Sequence, residues 1–164
     1  MWKSVNNLVW LILVLFATPF VLAEVPLPQK VEDAIRAAEP GWKCTHAGLE
    51  ASPIVPSEKR LLISRWERRS TTGQQEGVEL WIFQVGSPAD AEKSLSPMRE
   101  GKVAAGWKVN SYSTGDEAYL GKFRDGERYE IQFRKGLVVV RVSSDSMRLA
   151  ERFAKYADNC IGTK

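Results

Sequence analysis

Residues 128–160 read RYEIQFRKGLVVVRVSSDSMRLAERFAKYADNC, and two periodicities inside this stretch decide the fold. From Arg128 to Arg134 the chain alternates strictly. Tyr129, Ile131 and Phe133 fall on one side, and Arg128, Glu130, Gln132 and Arg134 on the other. That is the period of a half-buried strand, so the first group is expected to face a core and the second to face water. Lys135-Gly136 is a tight turn signal, and Leu137 to Val142 is rich in β-branched residues, as a second strand should be. The period then changes. Leu149, Ala150, Phe153, Ala157 and Cys160 cluster on one side of a helix, with Arg148, Glu151, Arg152 and Lys155 mostly opposite. The stretch therefore predicts a hairpin running into an amphipathic helix over 145–160, capped by Ser144 or Asp145, with Cys160 toward the core.

Working upstream, Tyr119–Phe123 reads as a strand joined to Arg128 by an Asp125-Gly126 turn, which tolerates positive φ. Trp107–Ser113 is a further strand. Ser87-Pro88-Ala89-Asp90 starts a helix: Ser87 can cap it, Pro88 suits the first turn, and Asp90 meets the positive end. This helix runs to Leu95, where Ser96-Pro97 either breaks it or restarts it as a second short helix ending at Gly101. Arg60–Arg69 and Val78–Val85 are two strands around a Thr-Thr-Gly turn. The second is apolar on both faces, which marks it as central. Pro28 to Glu39 is a helix stopped by Pro40-Gly41. The fold class is thus α+β: an antiparallel meander sheet, helices packed mainly on one face, and a helix at each end of the domain.

The front of the chain has a different composition. From Leu8 to Leu22 it reads LVWLILVLFATPFVL, with Lys3 the one charge before Glu24. A basic start, a short apolar run and small residues before an exit site are the marks of a secretory signal peptide. The run is short for a stable span, which takes about 20 apolar residues. Residues 1–23 are therefore expected to be a leader cut after Ala23, and residues 24–164 a single α+β domain. The alternative is an uncleaved membrane anchor. Export places the chain in the periplasm or outside the cell, where thiols are usually oxidised. A Cys44–Cys160 disulfide is expected on that ground.

Three segments, LWIFQVGSPADAEKSL, TGDEAYL and YEIQFRKGLVVVRVSSDSMRLAERFA, set strands and capped helices in a layout over residues 78–157. That layout resembles small exported bacterial α+β domains of unassigned role. The resemblance implies the fold and the export, and it carries no site residues.

The sequence has 23 basic and 20 acidic residues, a net charge of +3, and the signs are interleaved. With no basic block, nucleic acid is not an expected partner. The densest basic spot, Arg65-Trp66-Glu67-Arg68-Arg69, reads as a solvated strand face. His46 is the one histidine; with Cys44 it falls short of the three or four ligands zinc takes. Asp116 and Glu117 are adjacent acids in a glycine turn, where side chains diverge rather than converge on a substrate. No nucleophile elbow or phosphate loop is present, so no catalytic residue, metal or cofactor is assigned. Trp42, Trp66, Trp81 and Trp107 are the candidate ligand or partner surface. The expectation is a non-enzymatic exported domain that binds a partner protein, an envelope component or a small apolar ligand. The alternative is a hydrolytic or other enzyme with an unrecognised site. Membrane contact is expected only if the leader stays attached.

Overall fold

The computed structural model describes residues 25–45, 55–101, 105–123 and 126–162. The expected leader, its cleavage site and His46 lie outside the described residues. In chain order the elements are α1 (Leu27–Ala38), β1 (Lys43–Thr45), β2 (Lys59–Arg69), β3 (Gln75–Gln84) and α2 (Pro88–Ser96). Then come β4 (Trp107–Ser111), β5 (Glu117–Phe123), β6 (Arg128–Lys135), β7 (Val138–Ser144) and α3 (Met147–Cys160). The fold is α+β, with a helix near each end of the described region, as the periodicities predict.

All seven strands join one antiparallel sheet in the order β1-β2-β3-β7-β6-β5-β4. Two meanders, β1–β3 and β4–β7, meet where β3 pairs with β7, with Leu80 opposite Val142 and Phe83 opposite Val139. The two strands richest in β-branched and aromatic residues thus lie inside the sheet, where a strand must be apolar on both sides.

One face carries α1 and α3. Val78, Leu80 and Ile82 of β3, Val140 and Val142 of β7, and Ile131 and Phe133 of β6 pack there against Leu149, Ala150 and Phe153 of α3 and Val31 and Ile35 of α1. Alternation puts every second strand residue on this face, and the helical stripe of α3 covers them. Phe153 sits edge-on to Trp42 and Trp66, with ring centroids 5.1 and 6.2 Å away. The two helices are also tied polar to polar. Glu39, just past α1, accepts a hydrogen bond from the Tyr156 hydroxyl (2.9 Å) and lies 2.8 Å from Arg152 Nε.

The other face carries α2. Ser87 accepts a hydrogen bond from the Asp90 backbone N–H, the cap the sequence calls for. The helix ends at Ser96 and the chain restarts as a short π-helix over Pro97–Gly101, the second of the two expected outcomes. Ala91 and Leu95 bury against Val55, Val85 and Val139. Gln132, expected to face water, is instead 3 % exposed. Its strand face is polar in sequence, and α2 lands on β6 and β7 all the same.

Candidate functional site

The strand ends at Gln84, Glu117, Lys135 and Val138 gather at one end of the sheet. There α1 begins and α3 finishes. Between them lies a cleft of about 920 Å³. Its walls are mainly apolar: Val25, Pro26 and Leu27 ahead of and at the start of α1, Leu137 and Val138 from β7 and the turn before it, and Ile161 just beyond α3. Val25 is 46 % exposed, one of two large apolar residues so placed among the described residues.

Lys135, Asp116 and Arg134 on the rim are committed to the scaffold. Lys135 Nζ lies 3.0 Å from Asp158 Oδ1 and donates to the Asp158 carbonyl at 2.9 Å, fastening the end of β6 to α3. Asp116 accepts the Gly136 backbone N–H at 2.7 Å, bracing the β6–β7 turn. Gly136 holds a φ of 59°, which an Lys-Gly turn supplies without strain. Arg134 Nε donates to Glu117 at 2.9 Å, and the Tyr119 hydroxyl donates to the same carboxylate at 2.9 Å. The Arg134 guanidinium is the chief reason the Glu117 carboxyl ionises below its ordinary range, with Tyr119 adding to it against the cost of burial. Asp116 and Glu117 thus converge on one arginine and one turn.

Cys160 also lines the cleft. Its thiol donates to the Lys30 carbonyl at 3.6 Å, and burial pushes its pKa up. A raised thiol is protonated at neutral pH and a poor nucleophile. Cys44 stands opposite Trp66 on the edge strand β1, its pKa raised first by burial and then by Glu32. The disulfide expected between them is not formed: both are free thiols. The Cys160 sulfur is turned to the Lys30 carbonyl, and Cys44 lies in the field of Glu32 and Arg36.

The four tryptophans fall in three separate places. Trp42 and Trp66 are core residues, 5 % and 0 % exposed, each covered on the outside by an arginine: Arg68 stands 4.9 Å from the Trp42 ring centroid and Arg36 5.4 Å from that of Trp66. Trp81 is half-buried on the α2 face, tilted against Phe83 at 6.1 Å. Trp107 is half-buried on the edge strand β4, 5.2 Å from Phe123. None of the four lines the cleft. The basic spot at 65–69 is likewise divided, Arg65 with Glu67 at 2.8 Å and Arg68 with Glu76. A second, polar groove of about 370 Å³ lies beside Arg65, Glu79, Arg128 and Ser143, and Arg128 donates to both Glu79 (2.9 Å) and Ser143 (2.8 Å).

The residues that sequence reasoning missed are those at the helix ends. Val25 and Leu27 precede or begin α1, and Ile161 follows α3. They are apolar residues beyond a helical stripe, and that surplus is the signal a sequence offers. Among the described residues no group of three or more histidine, cysteine or acidic side chains is placed to hold a metal. Nor is any described helix long and apolar enough to cross a membrane. Comparison with protein-family models, with curated proteins and with solved structures finds no match.

Proposed function

We propose that this protein is an exported, non-enzymatic binding domain whose cleft between α1, α3 and the β6–β7 turn takes a small apolar ligand. One observation carries the reading: a concavity of about 920 Å³ with mainly apolar walls, at whose rim Arg134 is held by Glu117 and Lys135 by Asp158. Ligand sites for small molecules are typically concavities of about 300–1,000 Å³ lined mainly by apolar side chains. A rim whose charges are satisfied gives an apolar guest no unpaired ion to bury. The acids that an enzymatic reading would need, Asp116 and Glu117, are engaged in bracing a turn and holding Arg134. Export rests on the leader over residues 1–23, and places the domain in the periplasm or outside the cell.

The test uses the chain from Glu24 onward, which keeps every residue of the core from Val31 to Ile161. A neutral naphthylamine dye should brighten on binding, with one site per chain. Leu137→Asp places a charge in the wall and should abolish the signal, while Trp81→Ala, remote from the cleft, should leave it intact. Dye binding unaffected by Leu137→Asp would remove the proposal. Mass spectrometry of the protein from its host should give a mature chain beginning at Glu24.

A further inference from the structure

We infer that the opposite end of the sheet docks on an anionic lipid bilayer. The register across the sheet aligns one row: Lys108 opposite Lys122, Lys122 opposite Tyr129, and Tyr129 opposite Ser144. Lys108 is exposed and faces a like charge directly across β4 and β5. Such a pair is destabilising unless an anion offsets it. Lys122 leans over the Tyr129 ring, 5.9 Å from its centroid. Among the described residues neither lysine has a carboxylate partner.

The row ends at α3. Ser144 accepts the Ser146 backbone N–H, and the first turn of α3 holds no acidic residue. Met147 stands 40 % exposed there, followed by exposed Arg148. On the opposite face of the same strand ends lie Trp107 and Phe123, both half-buried, their rings 5.2 Å apart. Among the described residues the acids near this end are turned elsewhere or engaged: Asp145 lines the groove of Arg65 and Arg128, and Glu127 has its own partner.

Cations, an indole and an exposed methionine at one end fit a bilayer better than a soluble polyanion. Lysines gain from anionic headgroups, and Trp and Met gain from entering the headgroup boundary. A soluble polyanion gives the apolar groups nothing. Strand β5 runs from Glu117 at the cleft to Phe123 at this end. At about 3.3 Å per residue the two sites are roughly 20 Å apart, so a docked domain keeps its cleft free. The inference is independent of the cleft's ligand.

Vesicle sedimentation of the chain from Glu24 onward tests it. Binding is expected to vesicles of phosphatidylcholine mixed with phosphatidylglycerol, none to phosphatidylcholine alone, with release at high salt. The pair K108Q and K122Q should weaken binding about thirtyfold, at the usual contribution of a cation near a charged surface. Lys108→Gln alone, on an exposed strand position, should weaken it about fivefold and guards against a folding defect in the pair. Met147→Ser should weaken it while leaving the salt dependence unchanged. Leu137→Asp should leave vesicle binding as it is. Equal binding to neutral vesicles, no binding to anionic ones, or wild-type affinity in the lysine variants would each overturn the inference. So would polyphosphate binding as tight as vesicle binding together with no effect of Met147→Ser.

Discussion

Glu58 and Arg141, 83 positions apart in sequence, form an ion pair of 2.9 Å with the carboxylate side chain wholly buried. The guanidinium lies 4.6 Å from the Phe83 ring centroid, and Ser94 of α2 donates to the same Glu58 oxygen at 3.0 Å. This pair clamps the segment before β2 between α2 and the centre of the sheet. Burial pulls the Arg141 pKa down, and Glu58 opposes that pull. Removing one partner of a buried pair strands the other charge, which typically costs about 3–5 kcal/mol. Arg141 keeps some access to water, so Glu58→Ala should lose about 3 kcal/mol in urea unfolding. Glu58→Gln, which keeps a hydrogen-bond acceptor, should lose clearly less. Equal losses in the two variants would show that the stranded charge alone sets the cost, since both substitutions remove the carboxylate and only Gln keeps an acceptor.

Gly121 of β5 is a packing requirement rather than a turn. A Cβ there would come within 2.9 Å of both Met98 Sδ and Trp107 Cε3. Met98 is fully buried at the π-turn, so it has little room to retreat. Gly121→Ala should therefore cost about 1–3 kcal/mol by overpacking. Gly121→Ala combined with Met98→Ala should recover part of that loss, because the strain is local. Thermal unfolding of the single and double variants checks this, and additive losses would contradict it.

Glu117 sets the acid limb of stability. Its carboxyl is held low in the folded state, first by Arg134 and then by Tyr119. A depressed folded pKa gives stability that is present above the unfolded carboxyl value, near 4.3, and lost as pH falls through the folded value. Both side chains of the pair are about a quarter exposed, so the gain is of order 1 kcal/mol. Urea midpoints of wild type and Glu117→Gln should differ at neutral pH and converge only as pH falls well below the ordinary carboxyl value of about 4.3. A gap that persists in acid would assign the effect to packing instead of charge.

Much of the fold is legible because alternation and helical spacing are local. Ile131 and Phe133 bury where the pattern puts them, Phe153 lies on the stripe of α3, and Gly136 turns with positive φ. What covers each face is not local. Gln132 carries the polar mark of a solvent face, yet α2, more than thirty positions upstream, packs on that side. The same limit hid the sites. Strand parity sends Trp66 and Trp81 to opposite faces although both read as strand aromatics. The cleft draws its walls from both ends of the domain and from the β6–β7 turn. Lys108 and Lys122 become neighbours only once β4 and β5 pair. Interleaved charge in the sequence conceals an unbalanced charge in space.

The two thiols give the sharpest check on the structure. With Cys44 and Cys160 free, dithiothreitol should leave the melting temperature unchanged. A bridge between them would close a loop of more than a hundred residues, and its loss would remove up to about 4–5 kcal/mol in the loop-entropy account. That would be a shift of many degrees, well beyond error. Both thiols should react slowly with iodoacetamide in the native state, since burial raises each pKa and thins the thiolate. Both should react fully in urea. A group whose folded pKa is raised stabilises the fold at pH below its unfolded value, near 8.5, and that contribution is lost as pH rises through the folded value. The variant Cys160→Ala should therefore flatten the alkaline limb, while changing neutral stability only by the packing of a partly buried sulfur. Intact mass measured without reduction, lighter by two hydrogens than the reduced chain, would show the bridge after all, and α1 would then have to move from its place beside Cys160.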